Sequence, residues 1–220
     1  PDAAATRRLL IPEPRPRNLF FSIPSNVCFV AEGMTPSALD HGTVGAWTVA
    51  SRMLSFDYLW NEVRVKGGAY GTGFRRTTTG LQQYWSFRDP GVAGTLRRYE
   101  GAADWMAGWS GTEDELDGYV VSVVASHDAP AKSRSIARRQ DGEFFSARPA
   151  TWRDEVRAQE LAVTSDDVRA LAPSMRQLAA DHAVVVFGPR QKAAEAGLDF
   201  EVVDLMDPQP ADASAVPAQE

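Results

Sequence analysis

The chain has 220 residues, 44% of them hydrophobic, which is enough to build one sizeable core. Its 23 basic residues against 29 acidic ones leave a net charge of −6, which argues against a nucleic-acid-binding surface. No apolar run reaches the ~18 residues needed to span a bilayer and no signal peptide opens the sequence, so neither nucleic acid nor membrane is an expected partner.

The basic residues are nearly all arginine, with lysine only at Lys66, Lys132 and Lys192. The run "RSIARR", Arg134 to Arg139, reads as a solvated helix face. Cys28 is the only cysteine, so no intramolecular disulfide and no cysteine-based zinc cluster can form. It sits in "VCFVA", where a cysteine behaves as a small buried hydrophobe. The absence of cysteine pairs fits a reducing compartment and favours the cytoplasm. The sequence opens on Pro1 rather than Met, as expected of a piece processed or excised from something longer.

In chain order, the Pro- and Arg-rich opening reads as an extended connector over 1–23. "NVCFVA", Asn26 to Ala31, lies between Pro24 and Gly33 and predicts a strand. "TVGAWTVASRMLSFDYLWNEVRV" places Trp47, Ala50, Leu54 and Tyr58 in helical register and predicts a well-buried helix, with a possible break and cap at Ser55. "AYGTGFRRTTTG" and "LQQYWSFRDP" predict an antiparallel hairpin turning at Gly80. Helices follow over Thr95 to Trp109 and from "TEDEL", where Thr112 and Glu115 form a capping box. Another helical region, Thr151 to Ala180, is punctuated at "TSDD" and Pro173; "HAVVVFG" and "FEVVDL" close the domain as strands. This order predicts an α+β two-layer sandwich, a largely antiparallel sheet covered on one face by helices, over 24–206. Residues 207–220 read as a low-complexity tail with too little apolar surface to order itself.

The chemistry the chain lacks is informative. His41, His127 and His182 are the only histidines, and none stands in H-E-x-x-H or its reversal H-x-x-E-H. There is no phosphate-binding G-x-x-x-x-G-K-[ST] loop, no complete dinucleotide fingerprint and no nucleophile elbow. The stretch "LWNEVRVKGGAYGTG" sets Arg64 and Tyr70 on either side of Gly67 and Gly68. One reading is purely structural: Arg64 complements the negative end of a helix, a glycine supplies the left-handed cap, and Tyr70 begins a strand. The other takes Arg64 and Tyr70 as two hydrogen-bond donors aimed at a substrate. Arg88 and Asp89 read as an ion pair fixing the strand exit ahead of Pro90.

"NEVRVKGGAYGTG" followed by "YWSFRDP" resembles the C-terminal domain of the pitrilysin/insulin-degrading-enzyme superfamily, in its presequence-protease branch. "PSNVCFVAEG" is similar to that branch's first strand, with Cys28 and Phe29 where a polar residue and Tyr are more usual. The resemblance covers 24–205. It implies a clamshell of two halves, each of two related α+β domains, closing on an unfolded peptide. The zinc motif belongs to the first of those domains, so no metal ligand or cofactor is expected in this chain and zinc is expected in the N-terminal half of a full enzyme. The resemblance also implies that Arg64 and Tyr70 are catalytic, stabilising the oxyanion of a peptide carbonyl under attack, and that Gly67, Gly68 and Gly71 let a substrate backbone approach. The partners implied are peptide substrates and the N-terminal half of the same protein, or else a separate zinc-bearing subunit for which this chain is a silent scaffold. A free-standing peptide-binding domain is a third possibility.

Overall fold

A computed structural model of the chain describes residues 18–36, 40–77 and 79–206. Six strands form one open sheet in the order β3-β4-β2-β5-β1-β6: β1 Asn18–Ser22, β2 Cys28–Met34, β3 Gly71–Arg76, β4 Gln82–Asp89, β5 Ala183–Gly188 and β6 Glu201–Asp204. The pairs β3–β4, β4–β2 and β2–β5 are antiparallel, whereas β1 runs parallel to both β5 and β6. The expected mixed architecture with a largely antiparallel sheet is the observed one.

Alternation along the strands separates two faces. Phe20, Val30, Tyr84, Val184 and Val186 are buried toward the helices. The Tyr84 ring stacks on Tyr99 of α2 (Ala93–Ala107), with centroids 4.7 Å apart. Along the other face run Phe21, Phe29, Trp85, Phe87 and Phe187, which are exposed or half-buried. Phe29 meets Phe87 edge-on at 5.2 Å and Phe21 stacks on Phe187 at 4.7 Å, so this open face carries a row of aromatic rings.

The helical layer contains α1 (Val44–Met53), α2, α3 (Glu113–Asp128), α4 (Ser133–Phe145), α5 (Trp152–Leu161), α6 (Ser165–Arg169), α7 (Ala172–Ala180) and α8 (Gln191–Glu195). Thr112 and Glu115 form the expected capping box at the start of α3. Thr164 and Asp167 form a second one at α6. The core lies between α1, α2 and α7 and the inward strand residues, with Met53, Leu54, Leu59, Met106 and Leu178 fully buried. Phe144 and Phe145 at the end of α4 are exposed.

Three readings are corrected. Asn18–Ser22, inside the stretch taken for connector, forms β1 between β5 and β6; its short apolar "LFF" needs the sheet on both sides to become a strand. The long helix does not break at Ser55. It continues past Met53 with wider turns over Leu54–Tyr58 and Trp60–Lys66, where the Leu59 N–H reaches the Leu54 carbonyl five residues back. The Ser55 hydroxyl caps no helix. It accepts from the Phe74 N–H at 2.9 Å and donates to the Phe74 carbonyl at 3.2 Å, so it covers the outer edge of β3. Finally, Arg88 and Asp89 are not an ion pair. They are consecutive strand residues pointing to opposite faces, and the buried Asp89 carboxylate instead accepts from the Gly91 N–H and the Thr95 hydroxyl at the start of α2. Residues 1–17 and the tail from 207 onward lie outside the described residues.

Candidate functional site

The wide-turned helix delivers its last turn to the edge of the sheet, and the glycine pair decides how the chain leaves it. Gly68 has φ +84°, the left-handed conformation that favours glycine, and its N–H bonds the Arg64 carbonyl at 3.0 Å. A side chain on Gly67 would come within 2.4 Å of the Val63 carbonyl oxygen. The Ala69 N–H also reaches back to the Val63 carbonyl, at 3.2 Å, and Ala69 is buried. The turn is therefore rigid, and Tyr70 enters β3 with its N–H on the Phe87 carbonyl at 3.1 Å.

Arg64 lies in the last helical turn, as its sequence position implied. Its guanidinium sits over the Trp60 indole, 3.8 Å from the ring centroid. Such a stack orients the group and leaves its N–H donors free. Arg64 forms no ion pair or side-chain hydrogen bond among the described residues, whereas Lys66, two residues on, is paired with Glu62. Tyr70 is 66% exposed, its hydroxyl has no partner among the described residues, and its ring packs edge-on against Phe87 at 6.0 Å.

Tyr70 lines a groove with Pro24, Ser25, Asn26, Val27, Phe29 and Arg88. Arg64 is not among the residues lining that groove; Arg88, which the sequence reading treated as structural, is. The Arg88 backbone is left-handed, φ 51°, and its guanidinium leans toward the Phe87 ring at 6.0 Å. Non-glycine residues rarely hold that conformation, and the sequence gives no sign of it. Gly71 opens β3 in register with Phe87, and a side chain there would meet the Trp85 ring only at ordinary contact distance, 3.7 Å. Gly67 and Gly68 thus make the turn and are required by the backbone, whereas Gly71 opens the strand and is not.

The histidines are dispersed. His127 Nε2 lies 3.1 Å from Glu160 Oε1, and His182 Nδ1 lies 3.1 Å from the Ala179 carbonyl. His41 stands edge-on to Trp152. Among the described residues no group of three or more His, Cys, Asp or Glu side chains is placed to hold a metal ion, so these residues do not fit a zinc site.

Comparisons with known proteins bear on the family and the fold. The family model of the PreP C-terminal domain matches residues 18–187. The mitochondrial presequence protease of Danio rerio is 34% identical over 131 residues, covering 58% of this chain and 13% of that protein. Protein HypA of Clostridium perfringens is 30% identical over 174 residues, covering 77% of this chain and 18% of that protein. The chain therefore spans less than a fifth of the length of these relatives. Among solved structures, a peptidase M16 inactive domain from Pseudomonas fluorescens shares the fold over 80% of this chain and 44% of that one, at TM-score 0.60 and 20% identity. With the match running from the first residue of β1 to Phe187 in β5, and the Arg64–Tyr70 turn inside it, the chain belongs to the PreP C-terminal domain family.

Proposed function

We propose that this chain is the C-terminal, metal-free domain of a zinc metalloendopeptidase that degrades peptides in a closed chamber, and that Arg64 and Tyr70 are its contribution to the chemistry. The observation that carries this reading is the unspent state of both donors. A surface arginine commonly finds a carboxylate, yet Arg64 is held face-on to Trp60 with its N–H groups uncommitted among the described residues. Tyr70 offers an unbonded hydroxyl from a turn whose glycines fix it to the sheet.

The residue types suit oxyanion stabilisation. When water adds to a peptide carbonyl, negative charge gathers on oxygen. Arg64 supplies a permanent cation with a planar fork of donors, and Tyr70 supplies a neutral donor. The water-activating zinc and its general base would come from the N-terminal half of the complete protein. Beside Tyr70, the aromatic row Phe87, Phe29, Phe187 and Phe21 offers an apolar wall for an extended peptide. Gly71, which needs no glycine for its own backbone, leaves room there for a substrate main chain.

Turnover by the full-length enzyme carrying Tyr70→Phe tests the proposal, because only a hydroxyl is removed. The expected result is a loss of roughly 10²–10³ in kcat/KM with little change in thermal unfolding. Undiminished turnover would leave Tyr70 an ordinary strand residue.

A further inference from the structure

A cavity of about 430 Å³ opens among the start of α1, the end of β3 and helices α3, α4 and α5, and none of the sequence motifs points to it. Its volume falls in the range of small-molecule sites. Trp47 and Trp152 supply aromatic wall, one face of Trp152 carrying the Arg148 guanidinium 4.0 Å from its ring centroid, and two arginines at the border are paired with carboxylates: Arg153 with Glu143 at 2.7 Å and Arg157 with Asp128 at 2.8 Å.

Two other charged groups in the same lining are not spent in this way. Glu160 is completely buried (0% exposed); its Oε1 faces His127 Nε2 at 3.1 Å, but its Oε2 has no hydrogen-bond partner. Arg76, at the end of β3, has a buried Nε without a partner, and its guanidinium stands 5.9 Å from the Trp47 ring. Asp40 is close enough to act on the Arg76 charge, but it makes no hydrogen bond to it; its Oδ1 takes the Gly42 N–H instead. A buried charged atom with no partner is costly, so a buried acceptor on an anion and a buried donor on a cation in one aromatic-walled cavity call for a ligand carrying both complementary charges.

We propose that this cavity binds a short apolar peptide as a zwitterion, its terminal ammonium donating to Glu160 Oε2 and its terminal carboxylate accepting from Arg76. Apolar side chains between the two termini pack on Trp47 and Trp152. The site is built from α1, α3, α4, α5 and the far end of β3, and neither Arg64 nor Tyr70 lines it.

Calorimetric titration of the 220-residue chain with the dipeptide Leu-Phe, its N-acetyl form and its C-terminal amide tests this. The expected result is one saturable site for Leu-Phe, with each capped form binding at least tenfold more weakly. Glu160→Gln and Arg76→Gln should each weaken Leu-Phe at least tenfold; Arg76→Lys should recover part of the loss; Tyr70→Phe should leave binding unchanged. Equal binding of capped and free dipeptide would overturn the proposal, as would no saturable binding, which would mean that water alone serves Glu160. Because the capped ligands probe the unaltered chain, the result does not depend on how the variants fold. Because Tyr70→Phe spares this site, its failure is separable from failure of the oxyanion reading.

Discussion

The guanidinium of Arg64 lies over the indole of Trp60, one helical turn back, at 3.8 Å from the ring centroid. Contacts of this kind are worth ~0.5–1 kcal/mol at exposed sites, enough to hold an arginine in one orientation without consuming its donors. If Arg64 acts on substrate, Trp60 is its positioning residue. In the complete enzyme, Trp60→Leu should lower kcat more than it raises KM, and Arg64→Lys should be at least as damaging because an ammonium cannot reproduce the fork. Trp60 is partly exposed, so thermal unfolding should move little; a fall in stability with unchanged turnover would assign the stack to structure alone.

Under the proposed function, Gly68 meets a backbone demand and Gly71 a substrate demand. Gly68→Ala places a Cβ at φ +84° and should destabilise the chain by ~1–2 kcal/mol. Gly71→Ala meets only ordinary contacts near Trp85 and Phe87 and should leave thermal unfolding almost unchanged. A main chain passing over Gly71 would nonetheless feel the new methyl. Lower peptidase activity at normal stability is therefore the expected outcome for Gly71→Ala in the full enzyme.

Glu32 faces the helical layer from the middle of β2 and is 1% exposed. Burial pushes its carboxyl up to about 8, with Glu100 adding to the effect. His182 Nδ1 lies 3.5 Å from Glu32 Oε1, and Tyr84 stands opposite on β4. The folded pKa exceeds the unfolded value, so between about 4.5 and 8 the folded state holds more protons than the unfolded state. Stability should therefore fall as pH rises through that window. Glu32→Gln keeps the shape and removes the ionisation, so it should flatten the slope and raise stability at pH 8 by more than ~1 kcal/mol. Denaturant unfolding at pH 5 and pH 8 on both proteins measures this, and a parallel pH slope in the variant would assign the dependence to other groups.

Cys28 is completely buried on β2, and burial, with the Asp89 carboxylate next, pushes its thiol up to about 11. Only the thiolate attacks alkylating reagents. Iodoacetamide at pH 8 should leave the folded chain unmodified and label one site per chain in denaturant. Rapid labelling of the native protein would contradict this burial.

The local part of this protein was legible in its residues. Pattern and turn chemistry act over a few positions, so the hairpin at Gly80, the capping box of Thr112 and Glu115, the buried strand before Gly188 and the glycine cap after Arg64 could all be read directly. Composition and missing motifs excluded several chemistries, whereas the weight on Arg64 and Tyr70 came from the resemblance of "NEVRVKGGAYGTG" and "YWSFRDP" to a known family. Other features needed the tertiary structure, because their partners lie far away in sequence. β1 becomes a strand only between β5 and β6, contributed by residues more than 160 positions later. Ser55 serves the edge of β3 rather than a helix end, because the helix widens and carries it there. Asp89 reaches Thr95 because a bulge at Phe87 and Arg88, where Arg88 takes φ 51°, shifts the alternation of β4 by one residue and turns Asp89 inward, which no sequence pairing of charges can reveal. The unpartnered Oε2 of Glu160 and the buried Nε of Arg76 meet one cavity only because α5 folds back onto α1 beside the hairpin, an arrangement set by packing and not by any motif.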